Sequence, residues 1–115
     1  MRIGITSGEG SPSEQIRSQI RGLIVSGQLA AGESLPTVRQ LARDLAVSPA
    51  TVAKAYRTLE GEGLIETRVG SGTRVSEAAP APPIVVVKAA RNLIAASKRS
   101  DISLDDAIRI VRASW

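Results

Sequence analysis

The 115-residue chain carries 15 basic and 11 acidic side chains, for a net charge of +4 and a pI near 10.3. It contains neither cysteine nor histidine, which excludes a disulfide framework, a thiolate or imidazole metal site and the usual general base. The basic balance points to an anionic partner, but one Tyr, one Trp and no Phe leave no aromatic platform for stacking unpaired bases, so duplex DNA is favoured over single strands. The length suits one domain, or a domain with an appendage. The longest apolar run, Ile84 to Val87, is far too short to span a bilayer, and no apolar stretch of signal-peptide length follows Met1, so a cytoplasmic location and no membrane partner are expected.

In chain order, Ile3 and Ile5 alternate as in a short edge strand before the chain passes into Thr, Ser and Gly, where some mobility is expected. Ser11-Pro12-Ser13-Glu14 combines a helix cap, a proline at the first helical position and a capping-box glutamate. Ile16, Ile20, Leu23 and Ile24 then recur at helical spacing up to Gly27, a helix-ending residue, and Arg17 and Arg21 read as surface charge. Leu29 to Pro36 reads as a turn with at most a short strand. Thr37 with Gln40 forms a second capping box, in which each side chain serves the other's backbone N–H, and Leu41, Ala42 and Leu45 give that helix an apolar face.

After only Ala46 and Val47, the next helix opens at Ser48 and Pro49, with Val47 and Val52 placed as a hydrophobic staple. Two capped helices with so short a joint cross steeply, which is the helix-turn-helix arrangement that sets its second helix in the major groove. On a wheel of about 100° per residue, Val52, Ala55, Tyr56 and Leu59 share the core arc. Ala50, Lys54 and Arg57 take the opposite arc, flanked by Thr51 and Ala53. Residues 36 to 58 hold Arg39, Arg43, Lys54 and Arg57 against Asp44 alone, the most one-sided segment of the chain.

Gly61-Glu62-Gly63 stops this helix, and Leu64 to Val69 and Thr73 to Ser76 then flank Gly70-Ser71-Gly72 as a β-hairpin with a glycine-rich tip. A hairpin directly behind a recognition helix is a wing, whose glycines permit close approach to a phosphate or groove wall while Arg68 and Arg74 carry charge. Ser76 to Pro83 reads as an extended proline-alanine linker. Beyond it, Val86, Ala90, Leu93 and Ile94 recur at helical spacing, and Ser103 with Asp106 caps a last helix carrying Leu104, Ala107, Ile108 and Val111. Two such helices cannot bury all their apolar surface against each other, so the cover is either a second copy of the chain or the preceding domain.

The run from Gly27 to Val75 resembles the winged helix-turn-helix domain of the GntR family of bacterial transcription regulators. The resemblance is carried by Gly32-Glu33 before Leu35-Pro36, Arg39 ahead of Leu41-Ala42, Val47-Ser48, Thr51-Val52, Ala55-Tyr56, Leu59-Glu60, Glu62-Gly63-Leu64 and Gly70-x-Gly72-Thr73. Pro49, the Ala53 to Arg57 run and a short C-terminal region make it most similar to the YtrA-like subfamily. The resemblance implies DNA contacts from Arg39, from Ser48, Pro49, Ala50, Thr51, Lys54 and Arg57, and from wing residues Arg68, Gly70, Ser71, Gly72 and Thr73. Pro49 stands where many relatives have arginine and Ala53 where some place another basic residue, which puts a larger share on Thr51, Lys54 and Arg57. It also implies dimerisation through Val86, Ala90, Leu93, Ile94, Leu104, Ile108 and Val111.

The expected architecture is therefore mainly α with a small β-hairpin wing. A winged helix-turn-helix over residues 1–76 and a linker over 77–83 lead to a two-helix dimerisation unit over 84–115. The expected function is a homodimeric, sequence-specific transcription regulator, more in keeping with a repressor, that binds double-stranded DNA at a pseudo-palindromic operator. A dimerising interaction adaptor is the alternative reading. No enzymatic activity and no cofactor are expected. Any small-molecule effector would have to sit between subunits or at the junction of wing and helix, because so short a tail cannot enclose a pocket.

Overall fold

In the computed structural model, which describes residues 1–79 and 82–115, four of the five helices start on a hydroxyl that accepts the backbone N–H three residues ahead. Helix α1 (Pro12–Val25) starts on Ser11, α2 (Val38–Leu45) on Thr37, α3 (Pro49–Gly61) on Ser48 and α5 (Leu104–Ser114) on Ser103, with N···O distances of 3.1–3.2 Å. Helix α4 (Ile84–Arg99) starts on Pro83 without a side-chain cap. Among the described residues, the return bond expected of each capping box is not formed. Neither Glu14 nor Gln40 reaches back to its cap, and Asp106 instead accepts from Arg109 at 2.7 Å.

The chain divides into two compact units, Met1–Ala81 and Pro82–Trp115. In the first, Ile16, Ile20 and Ile24 of α1 meet Leu41 and Ala42 of α2 and Val52, Ala55, Tyr56 and Leu59 of α3 in one core. These are the positions that helical periodicity selects, and each fully buried aliphatic side chain contributes roughly 1.5–3 kcal/mol relative to exposure. Strands β1 (Ile65–Arg68) and β2 (Gly72–Val75) pair antiparallel, with Ile65 opposite Val75 and Arg68 opposite Gly72, and Ile65 and Val75 close the core from the hairpin side.

Three expectations change. Among the described residues, the segment carrying Ile3 and Ile5 pairs with no strand. Instead the Gln15 amide exchanges bonds with the backbone of Thr6, at 2.7 and 2.8 Å, and the Gln19 amide does the same with Gly4. Two side chains of α1 thus serve as the missing strand, and Ile3 and Ile5 pack on the core. The hairpin tip is Val69-Gly70-Ser71, one residue earlier than the glycines suggest. Ser71 N–H donates to Arg68 O at 3.0 Å and Gly70 takes φ +83°, as the third residue of a type II turn requires, while Gly72 is already paired in β2. Residues 77–79 turn back on the wing unit, with Ala79 N–H donating to Ser76 O and Ala79 packing on the core, rather than running out as linker. The remainder of the expected linker includes residues 80 and 81, which lie outside the described residues.

The second unit is an α4–α5 hairpin whose turn uses Asp101 at φ +59°, with Ile102 N–H donating to Ser97 O at 2.8 Å. None of the described helices is long and apolar enough to cross a membrane.

The Gln15 contacts predict a localised lesion. Gln15→Met keeps the volume but removes both bonds to Thr6, and it should cost about 1–2 kcal/mol in urea unfolding. Hydrogen exchange should lose protection at the Thr6 amide while the α2 and α3 amides keep theirs in proportion to the global change.

Candidate nucleic-acid interface

The turn between α2 and α3 is made by Ala46 in the left-handed conformation at φ +56°, with Val47 N–H donating to Ala42 O at 3.0 Å. A non-glycine residue there costs roughly 1–2 kcal/mol, and Val47, partly buried in the core, helps to hold it. The angle between the helices is therefore set by a strained residue and its packing. A second tie is long-range. The Tyr56 hydroxyl on α3 donates to Pro36 O at 2.7 Å, immediately before the Thr37 cap of α2. Burial pushes the Tyr56 phenol up to about 12.

With α3 buried along Val52, Ala55, Tyr56 and Leu59, its opposite face is free: Ser48, Pro49, Ala50, Lys54 and Arg57 are exposed and Thr51 is half-buried. The two hydroxyls at its start are coupled, Ser48 Oγ lying 2.8 Å from Thr51 Oγ1 while also accepting the Thr51 N–H. Because Pro49 lacks an N–H, Ala50 supplies the free amide at this helix start. Arg39 is exposed in the first turn of α2, where unpaired N–H groups favour an anion.

The wing brings Arg68, Gly70, Ser71 and Gly72 to the surface. Thr73 is half-buried and its hydroxyl lies 3.2 Å from that of Thr67, which in turn donates to Glu60 of α3 at 3.3 Å, so this pair braces the hairpin against the helix. Arg68 pairs with Glu66 at 2.8 Å, and Arg74 is half-buried with no partner for its Nε among the described residues. Arg17 and Arg21 lie 4.0 and 3.4 Å from Glu62, tying α1 to the end of α3. Such half-exposed pairs contribute up to about 1 kcal/mol each.

Two positioning features escape local reading of the sequence. One is the Tyr56 bond. The other is an added edge to the wing, in which Leu35 N–H donates to Thr73 O, Val75 N–H to Glu33 O and Gly32 N–H to Val75 O, all within 2.8–2.9 Å. The lone tyrosine of an aromatic-poor chain was the available signal for the first. Alternation is too short around Ser34 to signal the second.

The comparisons with known proteins meet this geometry at the same residues. The family described as "Bacterial regulatory proteins, gntR family" matches residues 12–75, from the start of α1 to the end of β2. The chain belongs to the gntR family. The HTH-type transcriptional repressor YtrA of Bacillus subtilis is 48% identical over 64 residues, which are 56% of this chain and 49% of YtrA, so this chain matches about half of that relative. The HTH-type transcriptional regulator Rv1152 of Mycobacterium tuberculosis is 34% identical over 109 residues, 95% of this chain and 88% of that protein. Among solved structures, AraR(DBD) in complex with operator ORX1 superposes with a TM-score of 0.58 at 26% identity, covering 66% of this chain and 99% of that one. Within the gntR family the likeness is to the YtrA-like members, as Pro49 and the short C-terminal unit imply.

The Tyr56 tie is testable by titration. A phenol raised to about 12 stabilises the fold below its unfolded value near 10, and that contribution is lost as pH climbs from about 10 to 12. As the sole tyrosine, it should titrate in the tyrosinate absorbance late and together with unfolding. Tyr56→Phe should lose about 1 kcal/mol at neutral pH and soften the alkaline fall in stability.

Proposed function

We propose that the protein is a transcription regulator that binds a pseudo-palindromic operator as a homodimer and acts as a repressor. The observation that carries this reading is the division of α3 into one fully buried edge and one exposed face that is small, hydroxylated and basic. An adaptor surface would present apolar anchors there, whereas Ala50, Lys54 and Arg57 suit the edge of a groove in DNA. Further support comes from the operator-bound AraR(DBD) relative and from the repressor YtrA.

In this mechanism the exposed face of α3 enters the major groove, with Lys54, Thr51 and Arg57 reaching base edges and phosphates. Arg39 and the N-terminal amides of α2 and α3 hold the phosphate backbone. Arg68 and the Gly70-Ser71-Gly72 backbone approach the duplex beside the groove that α3 occupies. Pro49 and Ala53 give few base-reading side chains per helix, so specificity draws on two copies. The exposed apolar residues of α4 and α5 provide the surface through which those copies associate.

Selection of bound duplexes from a random pool should enrich an inverted repeat. Enrichment of no palindrome at moderate salt would favour the adaptor reading. On the selected site, Arg39→Glu should weaken binding about tenfold or more for every sequence and lower the salt slope by about one. Lys54→Ala should cost about 1–3 kcal/mol on the preferred site and relax preference at one position per half-site. Unchanged affinity and preference in Lys54→Ala would overturn the groove-facing assignment.

A further inference from the structure

The α4–α5 hairpin buries little by itself. Ala107, 9% exposed, is the one buried residue of its two helices, while Leu104 is 74%, Ile108 37%, Val111 40% and Trp115 101% exposed. Trp115 continues the helix, its N–H donating to Val111 O at 3.0 Å. Leu104, Ile108, Val111 and Trp115 follow one another at spacings of four, three and four residues, the d-a-d-a pattern of a helix that packs along another. Of this stripe, Leu104, Ile108 and Val111 line an apolar groove of about 580 Å³ together with Leu93 and Ile94 of α4, and Arg112 stands at its border.

The flanks of the stripe differ. Ala107, on one side, marks the edge of α5 turned to α4. Asp105 and Arg112 stand on the other, seven residues apart and hence at the same position of successive heptads. The neighbouring charges Asp106 and Arg109 are already closed within the helix at 2.7 Å. Asp105 and Arg112 form no ion pair among the described residues.

We propose that a second copy of the chain covers this face with its α5 running antiparallel. The proposal rests on the homodimer reading and gives it an orientation. When two identical helices pack antiparallel, the same flank of each meets the other, so Asp105 faces Arg112 of the partner subunit and Arg112 faces the partner's Asp105. In the stripe between them, Leu104 packs on the partner's Trp115 and Ile108 on the partner's Val111, each contact made twice. A parallel pair would set Asp105 and Arg112 against the edge that holds Ala107 and Ser114, which α4 partly covers and which offers no charge. The stripe is self-complementary in one direction only.

Sedimentation equilibrium of the full chain tests this. Asp105→Arg and Arg112→Asp should each weaken self-association by about tenfold, whereas the double swap, which restores opposite charges across the pair, should return to within about threefold of wild type. An equimolar mixture of the two single variants should form the heterodimer as its main species in native mass spectrometry. Because both swaps oppose the helix dipole, variants that lose helicity are replaced by Asp105→Asn and Arg112→Gln, whose combined effect should be no larger than either alone. Trp115, the sole tryptophan, should shift its emission to the red as the dimer dissociates on dilution. Single swaps that dimerise like wild type, a mixture without heterodimer, or an emission that ignores dissociation would each overturn the antiparallel pairing while leaving the homodimer standing. A wild-type chain that stays monomeric at about 100 μM would remove both, since that is weaker than specific self-association of this kind.

Discussion

The hydroxyl of Tyr56 donates to the carbonyl of Pro36, and this one bond ties α3 to the segment that launches α2. Its two ends lie twenty residues apart, on opposite sides of the tight turn at Ala46, so it closes the helix pair into a loop with little freedom left. The core edge of α3 makes that closure possible, since Val52, Ala55 and Leu59 bury the helix deeply enough to carry the phenol inward. A buried hydroxyl without a partner would cost about 1–3 kcal/mol, so the bond also imposes a requirement: any shift of α2 away from α3 orphans it. The spacing of Arg39 and Lys54, the two side chains proposed to meet DNA from different helices, follows from the same restraint.

The segment from Gly32 to Thr37 does more than its turn-like composition suggests. Gly32, Glu33 and Leu35 pair with β2, Pro36 accepts from Tyr56, and Thr37 caps α2. Wing, α2 and α3 therefore share one short backbone stretch, and the Glu60–Thr67–Thr73 chain of hydrogen bonds links wing and helix a second time. A two-stranded hairpin is marginal on its own in water, and this bracing gives it the third edge it needs. Gly32 is constrained by that role, because its φ of +81° is a conformation that side-chain-bearing residues rarely adopt.

What was legible in the sequence was local. Ser11, Thr37, Ser48 and Ser103 announce helices because a cap bonds three residues ahead, and the buried residues of α1 and α3 announce a core because packing repeats every 3.6 residues. The glycines announced a wing, yet its tip lay one residue away, because Gly70 and Gly72 both have positive φ and composition alone does not say which of them turns the chain. Missed were the contacts that close over distance: the Gln15 and Gln19 amides replacing a strand, the partner of the short strand allowed around Ser34, the bond of Tyr56. Each joins groups whose pairing depends on the finished fold, which no periodicity encodes. The roles of single residues at the candidate interface stood out through resemblance more than through spacing, since a small, basic helix face has the same local pattern whether it meets DNA or water.

Charge completes the division of labour. Residues 1–76 carry nine basic and seven acidic side chains, a balance too even to draw a polyanion strongly. The fold redistributes it. Arg17 and Arg21 share Glu62, and Arg68 faces Glu66, so three of the five cations outside the helix pair have a local counter-charge. Arg39, Arg43, Lys54 and Arg57 enter no ion pair among the described residues, and all four are exposed on the helix pair. Matched charges largely cancel at short range, whereas the field of the unmatched set persists out to about a Debye length, roughly 8–10 Å. Long-range attraction to a phosphate backbone therefore originates from the same two helices whose shape fits the groove, and approach and docking select the same face.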